Sequence, residues 1–156
     1  MGTAMFYHLT RSTVEATLLL LLRRAVAQGM PVMVRGRERS ELDRLDEALW
    51  LTPRDSFLPH GLEGGPYDAQ QPVLLGQGAA PAQVRGIALI GGADAGLAEA
   101  AALERLWVIF DAADAAQLDH ARTLWREITG AGIAAQYWTE DSGQWEKKLE
   151  KPAVGA

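Results

Sequence analysis

The chain has no cysteine. That single absence removes disulfides, thiol nucleophiles, iron–sulfur clusters and cysteine zinc sites. It is also poor in basic residues, with 15 lysines and arginines against 20 acids for a net charge of −5. Surfaces that bind duplex DNA through its phosphates carry the opposite excess, so a general nucleic-acid-binding role is disfavoured, although a local basic patch is compatible with this balance. Long apolar runs are missing as well. The longest, Ala16 to Leu22, stops at Arg23 and Arg24, well short of the roughly 20 residues that a membrane-spanning helix needs. The opening residues Met1 to Arg11 read as strand and turn rather than as a secretory leader, so a cytoplasmic protein is expected.

What remains is a chain of 156 residues, 48% hydrophobic and 22% charged, the size and balance of one globular domain with a single core. Met5 to Leu9 reads as a strand, and Ser12-Thr13-Val14-Glu15 as a capping box opening a helix that runs to about Gly29 and is apolar all round over Leu18 to Leu22. Pro31 to Gly36 is a second strand. A second helix is expected from Ser40, with Leu42, Leu45 and Leu49 at helical spacing, ending before Pro53. Residues 53 to 71 read as a long loop rich in proline and glycine. Strands follow at 73–75, 84–90 and 106–110, with a short alanine-rich helix at 95–103. Asp114 and Gln117 cap a last helix carrying Leu118, Ala121, Leu124, Trp125 and Ile128, and Ile133 to Trp138 closes the sheet. This alternation specifies a three-layer α/β domain over residues 1–145 with a mostly parallel sheet. Residues 146–156, which hold all three lysines, are expected to be a loosely ordered tail.

Catalytic and phosphate-binding signatures do not emerge. The turn after the first strand has no glycine, and Gly91-Gly92-Ala93-Asp94-Ala95-Gly96 lacks the dinucleotide spacing. His8, His60 and His120 fall in three different elements without metal-ligand spacing. Ser12 and Ser40 read as helix caps. No cofactor or metal is implied. Two features remain. Trp50, Phe57, Leu58 and Pro59 are either a lid on the core or an apolar patch for another protein, with His60 beside them. Arg122 and Arg126 flank Trp125 at the edge of the last helix's apolar stripe, either as an ordinary amphipathic boundary or as a site for a peptide with acidic groups and an apolar end.

Phe6-Tyr7, the helix LDRLDEALW from Leu42 to Trp50 and the loop Ser56-Phe57-Leu58-Pro59-His60 resemble the chi subunit of bacterial DNA polymerase III, most specifically over LDEALWLTPRDSFLPHGL from Leu45 to Leu62. The resemblance implies a Rossmann-like domain without its nucleotide site, acting as a non-catalytic accessory subunit of the clamp-loader complex. It implies that Trp50, Phe57, Leu58, Pro59 and His60 serve binding of the psi subunit, or of a helicase-like protein at the same surface. It further implies that Arg122, Trp125 and Arg126 bind the acidic C-terminal tail of single-stranded-DNA-binding protein. Two positions depart from the family pattern: Leu118 stands where a lysine is expected, and Asp111 where an apolar pocket residue is expected. The rival reading from another class is a small nucleotide- or phosphate-binding α/β enzyme with its site near Gly91.

Overall fold

Short β-branched and apolar runs with no polar alternation predict strands covered on both faces. The computed structural model describes residues 2–51 and 58–154, and among them eight strands form one sheet. These are β1 (Thr3–Leu9), β2 (Val32–Arg35), β3 (Gly61–Leu62), β4 (Val73–Gly76), β5 (Gly86–Leu89), β6 (Arg105–Asp111), β7 (Ala134–Thr139) and β8 (Glu146–Lys151). Their order is β3-β4-β2-β5-β6-β1-β7-β8, parallel throughout except that β8 runs antiparallel to β7. Every residue of β2, β4 and β5 is buried, as strands covered by helices on both sides require.

Among the described residues four α-helices cover the sheet. α1 (Val14–Ala27) and α2 (Arg39–Trp50) pack Leu18, Leu22, Leu42, Leu45 and Leu49 against Val32, Val34 and Ile109 on one face. α3 (Leu97–Ala102) and α4 (Ala115–Gly130) bury Ala100, Leu124 and Ile128 against Phe6, Met33, Ile87 and Val108 on the other. The result is a three-layer, Rossmann-like α/β domain with a mostly parallel sheet, as the pattern predicts.

Several local expectations are corrected. Thr13, not Ser12, caps α1, its side chain accepting from the Ala16 amide. Ser12 instead donates its hydroxyl to Glu140, a partner 128 residues away. α2 starts after Glu38 with no side-chain cap, so Ser40 is simply a residue of its first turn. Most of the Leu18–Leu22 stretch is buried, as its composition predicts, with Leu20 the 52% exposed exception. The loop from 53 to 71 holds β3 and a 3₁₀ turn at Asp68–Gln70. The segment expected to be loosely ordered contains β8, and beyond it the Val154 amide donates to the Gly132 carbonyl. The Asp114 cap of α4 forms as expected, accepting from the amides of Ala116 and Gln117.

Candidate functional site

A parallel α/β sheet binds anionic ligands beyond the carboxyl ends of its strands, where turn amides and helix N-termini point outward. Here the chain's own acids occupy those places. In the turn from β1 to α1, the amides of Thr10, Arg11 and Ser12 donate to Glu140 Oε2 at 3.0, 3.0 and 2.9 Å, and the Ser12 hydroxyl donates to Oε1 at 2.7 Å. Glu140 lies just past β7 and is buried. Burial disfavours its charge, but the Ser12, Arg11 and Thr10 hydrogen bonds outweigh that and hold its carboxyl below the usual glutamate value. After β5, Gly91 and Gly92 adopt φ of 60° and 82°, and the Glu41 carboxylate lies against Gly91. Glu41 lines a crevice of about 290 Å³ together with Thr13, Glu15, Arg44 and Ile90. Burial pushes the Glu41 carboxyl up, with Arg44 only partly opposing. A phosphate entering either turn would meet a carboxylate.

The histidines are dispersed. His120 Nε2 lies 3.0 Å from the Ala93 carbonyl oxygen, and His8 Nδ1 lies 2.8 Å from the Tyr137 hydroxyl. Among the described residues no three His, Asp or Glu side chains gather as a metal site would require.

At the end of α2, Trp50 is 54% exposed and its ring centroid lies 4.6 Å from that of His60. The His60 ring is buried, with Nδ1 2.7 Å from the Leu58 carbonyl oxygen and Nε2 3.1 Å from an Asp46 carboxylate oxygen. His60 therefore ties the loop to α2 and supports Trp50 from beneath. Leu58 is buried in the core on the α1 and α2 face, whereas Pro59 is exposed. Phe57 lies outside the described residues. Of the residues singled out in this stretch, Trp50 and Pro59 thus present surface, joined by the exposed Leu51, while Leu58 and His60 hold that surface in place.

On the other face, Arg122 and Arg126 are exposed along α4 and Trp125 between them is half-buried. The Trp125 ring meets Phe6 edge-on at 5.2 Å and Tyr137 edge-on at 5.7 Å. Tyr137 in turn lies 5.9 Å from the His8 ring and 6.0 Å from Phe110. Burial raises the Tyr137 phenol, while Arg122 pulls it down and Asp141 pushes it up, so both charges act on that hydroxyl. Leu118 packs against the same core, and Asp111 accepts from the Ala113 amide at 2.9 Å, making the turn into α4. An aromatic wall, a phenol and two guanidinium groups without an acidic partner among the described residues share this surface. That set suits a carboxylate beside an apolar side chain.

A family model for the DNA polymerase III chi subunit, HolC, matches residues 1–136. The chain belongs to this family. Comparison with individual curated proteins gives no match. The family match runs from before β1 into β7 and stops short of β8. In this chi-family chain the two surfaces occupy different helical layers and lie toward opposite edges of the sheet: α2 contacts β3 and β4, and α4 contacts β6, β7 and β1. Sequence reasoning did not single out Tyr137 or Glu140. Tyr137 shares a strand face with the buried Ala135, a period-2 signal, but that this face meets α4 follows only from the sheet register. Glu140 carries none, because its partners are backbone amides.

Proposed function

We propose that this DNA polymerase III accessory subunit is a non-catalytic bridge within the clamp-loader assembly. The surface around Trp50 and Pro59, with Phe57, takes the psi subunit, or a helicase-like protein competing for the same place. The surface of Arg122, Trp125 and Arg126 takes the acidic C-terminal tail of single-stranded-DNA-binding protein. The protein works in the cytoplasm, where the replicase meets coated template, and contacts DNA only weakly itself. Among the described residues no helix is long and apolar enough to cross a membrane.

The observation that supports a bridge is the separation of the two surfaces. From β4 to β7 the sheet has five strand steps, about 24 Å at the usual interstrand spacing, and the two helices lie on opposite faces. Two partners on these surfaces would not compete for space. The rival reading, a phosphate-binding enzyme, is opposed by Glu140 and Glu41, which put negative charge where its ligand would sit.

The test is fluorescence anisotropy of a labelled tail peptide, alongside co-purification with psi, for wild type, Arg122→Ala and Trp50→Ala. A guanidinium–carboxylate contact beside one aromatic ring gives affinity on the order of micromolar. Arg122→Ala loses the peptide and keeps psi; Trp50→Ala does the reverse. Loss of both activities in one folded variant, or no peptide binding by wild type, would sink the two-surface reading.

A further inference from the structure

Glu140 and Glu41 put negative charge at the carboxyl ends of the strands, whereas the amino ends carry an opening of the opposite sign. Alternate residues of a strand share a face, so Met5 and Tyr7 of β1 project to the α1 side together with Arg105, Trp107 and Ile109 of β6. The second half of α1 passes over them. Met5, Leu21, Ala25, Met30 and Trp107 wall a crevice of about 160 Å³ there, and its polar groups come from Tyr7, Arg24, Gln28 and Arg105. No acid lines it, in a chain whose net charge is −5.

Arg24 and Arg105 are exposed, and neither has an ion-pair partner among the described residues. The acid next to Arg105 in the chain, Glu104, is paired with Arg85 at 2.5 Å, and Arg105 gives a single donor to the Glu104 carbonyl at 2.9 Å. Most of its five N–H groups therefore remain for a ligand. The Tyr7 ring is clamped between two indoles, stacked on Trp138 at 6.5 Å and edge-on to Trp145 at 5.3 Å. Although Tyr7 is buried, its hydroxyl has no hydrogen-bond partner among the described residues. Burial raises the phenol, and the charges of Arg24 and Arg105 both pull it back down, so both guanidinium groups act on that one hydroxyl.

We propose that this crevice binds a small carboxylic acid bearing one apolar group, with the apolar group against Met5, Met30 and Trp107, and the carboxylate held by Arg24, Arg105 and the Tyr7 hydroxyl. The volume sets the size of the ligand, since an apolar cavity of about 150 Å³ takes one benzene ring. The two thioethers give walls that adapt to a ring or a branched chain. Planar guanidinium groups match a carboxylate through paired N–H donors, and the lone hydroxyl adds a third direction. A bare phosphate would gain none of the apolar contact, and a nucleotide exceeds the space. No residue of the crevice belongs to the end of α2 or to α4, so this site stands apart from both protein-binding surfaces proposed above.

The test titrates the full-length protein with phenylacetate and follows the Trp107 indole N–H by two-dimensional NMR, its signal assigned with Trp107→Phe. One ring and one carboxylate give a saturable shift with Kd on the order of 1 mM. Arg24→Gln and Arg105→Gln each weaken binding about tenfold, as loss of a charge-assisted contact should, and Tyr7→Phe weakens it about fivefold. None of the three removes an ion pair, and the Tyr7 hydroxyl has no partner to lose, so all melt with the wild type. Phenylacetamide, which has the ring without the charge, and inorganic phosphate, which has the charge without the ring, leave the signal unmoved. No shift with phenylacetate at about ten times that concentration would overturn the proposal. So would equal shifts with either control compound, or binding that none of the three variants weakens.

Discussion

Glu140 is the most consequential side chain that the sequence does not advertise, and Glu140→Ala tests its role. Four donors lose their acceptor in that variant: the amides of Thr10, Arg11 and Ser12, and the Ser12 hydroxyl. Hydrogen bonds to a charged group contribute about 1.5–3 kcal/mol each when no water replaces them. Thr10 and Arg11 are exposed and Ser12 is half-buried, so water recovers much of that total, and a net loss of about 3 kcal/mol is expected. In a domain of this size it corresponds to a fall in Tm of about 6–12 °C. Glu140→Gln keeps one acceptor oxygen and loses the charge, so it should fall between the two. The pH dependence has a definite sign. The folded-state carboxyl lies below its unfolded value, so the unfolded chain binds the extra proton, and the stabilisation is complete above the unfolded value of about 4.3 and lost as pH falls through the folded one. Urea denaturation of wild type and Glu140→Gln from pH 7 to pH 3 should give a stability difference that is constant near neutrality and shrinks in acid. A Tm for Glu140→Ala within about 1 °C of wild type, well inside the scatter of ordinary surface substitutions, would refute the account.

Arg35 at the end of β2 makes a two-pronged ion pair with Glu99 of α3 at 2.7 and 2.9 Å and also donates to the Asp94 carbonyl. Arg35 is the first cause of the lowered Glu99 carboxyl, and because Glu99 is about one-third exposed, Glu99→Ala should cost about 2 kcal/mol by urea denaturation rather than the larger penalty of a fully buried pair. A Cβ at Gly86 would lie 2.8 Å from the Trp107 ring and 3.2 Å from the Met30 sulfur, so Gly86→Ala should destabilise by about 1–3 kcal/mol through overpacking, with a shifted Trp107 fluorescence as the local readout. Millimolar ATP or inorganic phosphate should leave the Tm unchanged to within about 1 °C, since a ligand that binds the native state well above its Kd would raise it by several degrees. A rise of that size would revive the enzyme reading.

The layers, the strand order of burial and the last helix were legible because they depend on local periodicity: Val32 to Arg35 has no polar face, and Asp114 caps α4 with its own side chain. The misreadings share a different origin. Ser12 and Thr13 are adjacent and equally able to cap, and the choice between them is made by Glu140 from the far side of the sequence. β8 reads as a tail because five charged residues in six resemble solvent-exposed coil, yet an edge strand with one polar face needs little else. Leu58 and His60 sit in the same short stretch as Trp50's exposed surface, but no spacing rule distinguishes a loop residue that faces a partner from one that faces the core. Helical spacing alone puts Arg122, Trp125 and Arg126 on neighbouring positions of α4; Tyr137, whose ring meets Trp125, arrives from β7 and required the sheet register.

Glu140 at the β1–α1 turn and Glu41 beside Gly91 put acids where a domain of this class otherwise takes an anion. A nucleotide-binding sheet concentrates its chemistry at one central point, where turn amides converge. Here the amides of the β1–α1 turn are satisfied internally by Glu140, which ties the start of α1 to the residue just past β7. A bridge benefits from that arrangement. In the proposed role, the α2 and α4 surfaces lie toward different edges of one continuous hydrogen-bonded sheet, so a load on one would pass to the other through backbone rather than through a hinge. Neither contact needs to be tight on its own: when many copies of an acidic tail surround the same molecule, rebinding raises the effective affinity by orders of magnitude, while each single contact stays weak enough to release. On the proposed reading, the exposed guanidinium groups of α4 would suit that regime, because screened surface charges favour fast exchange over long residence.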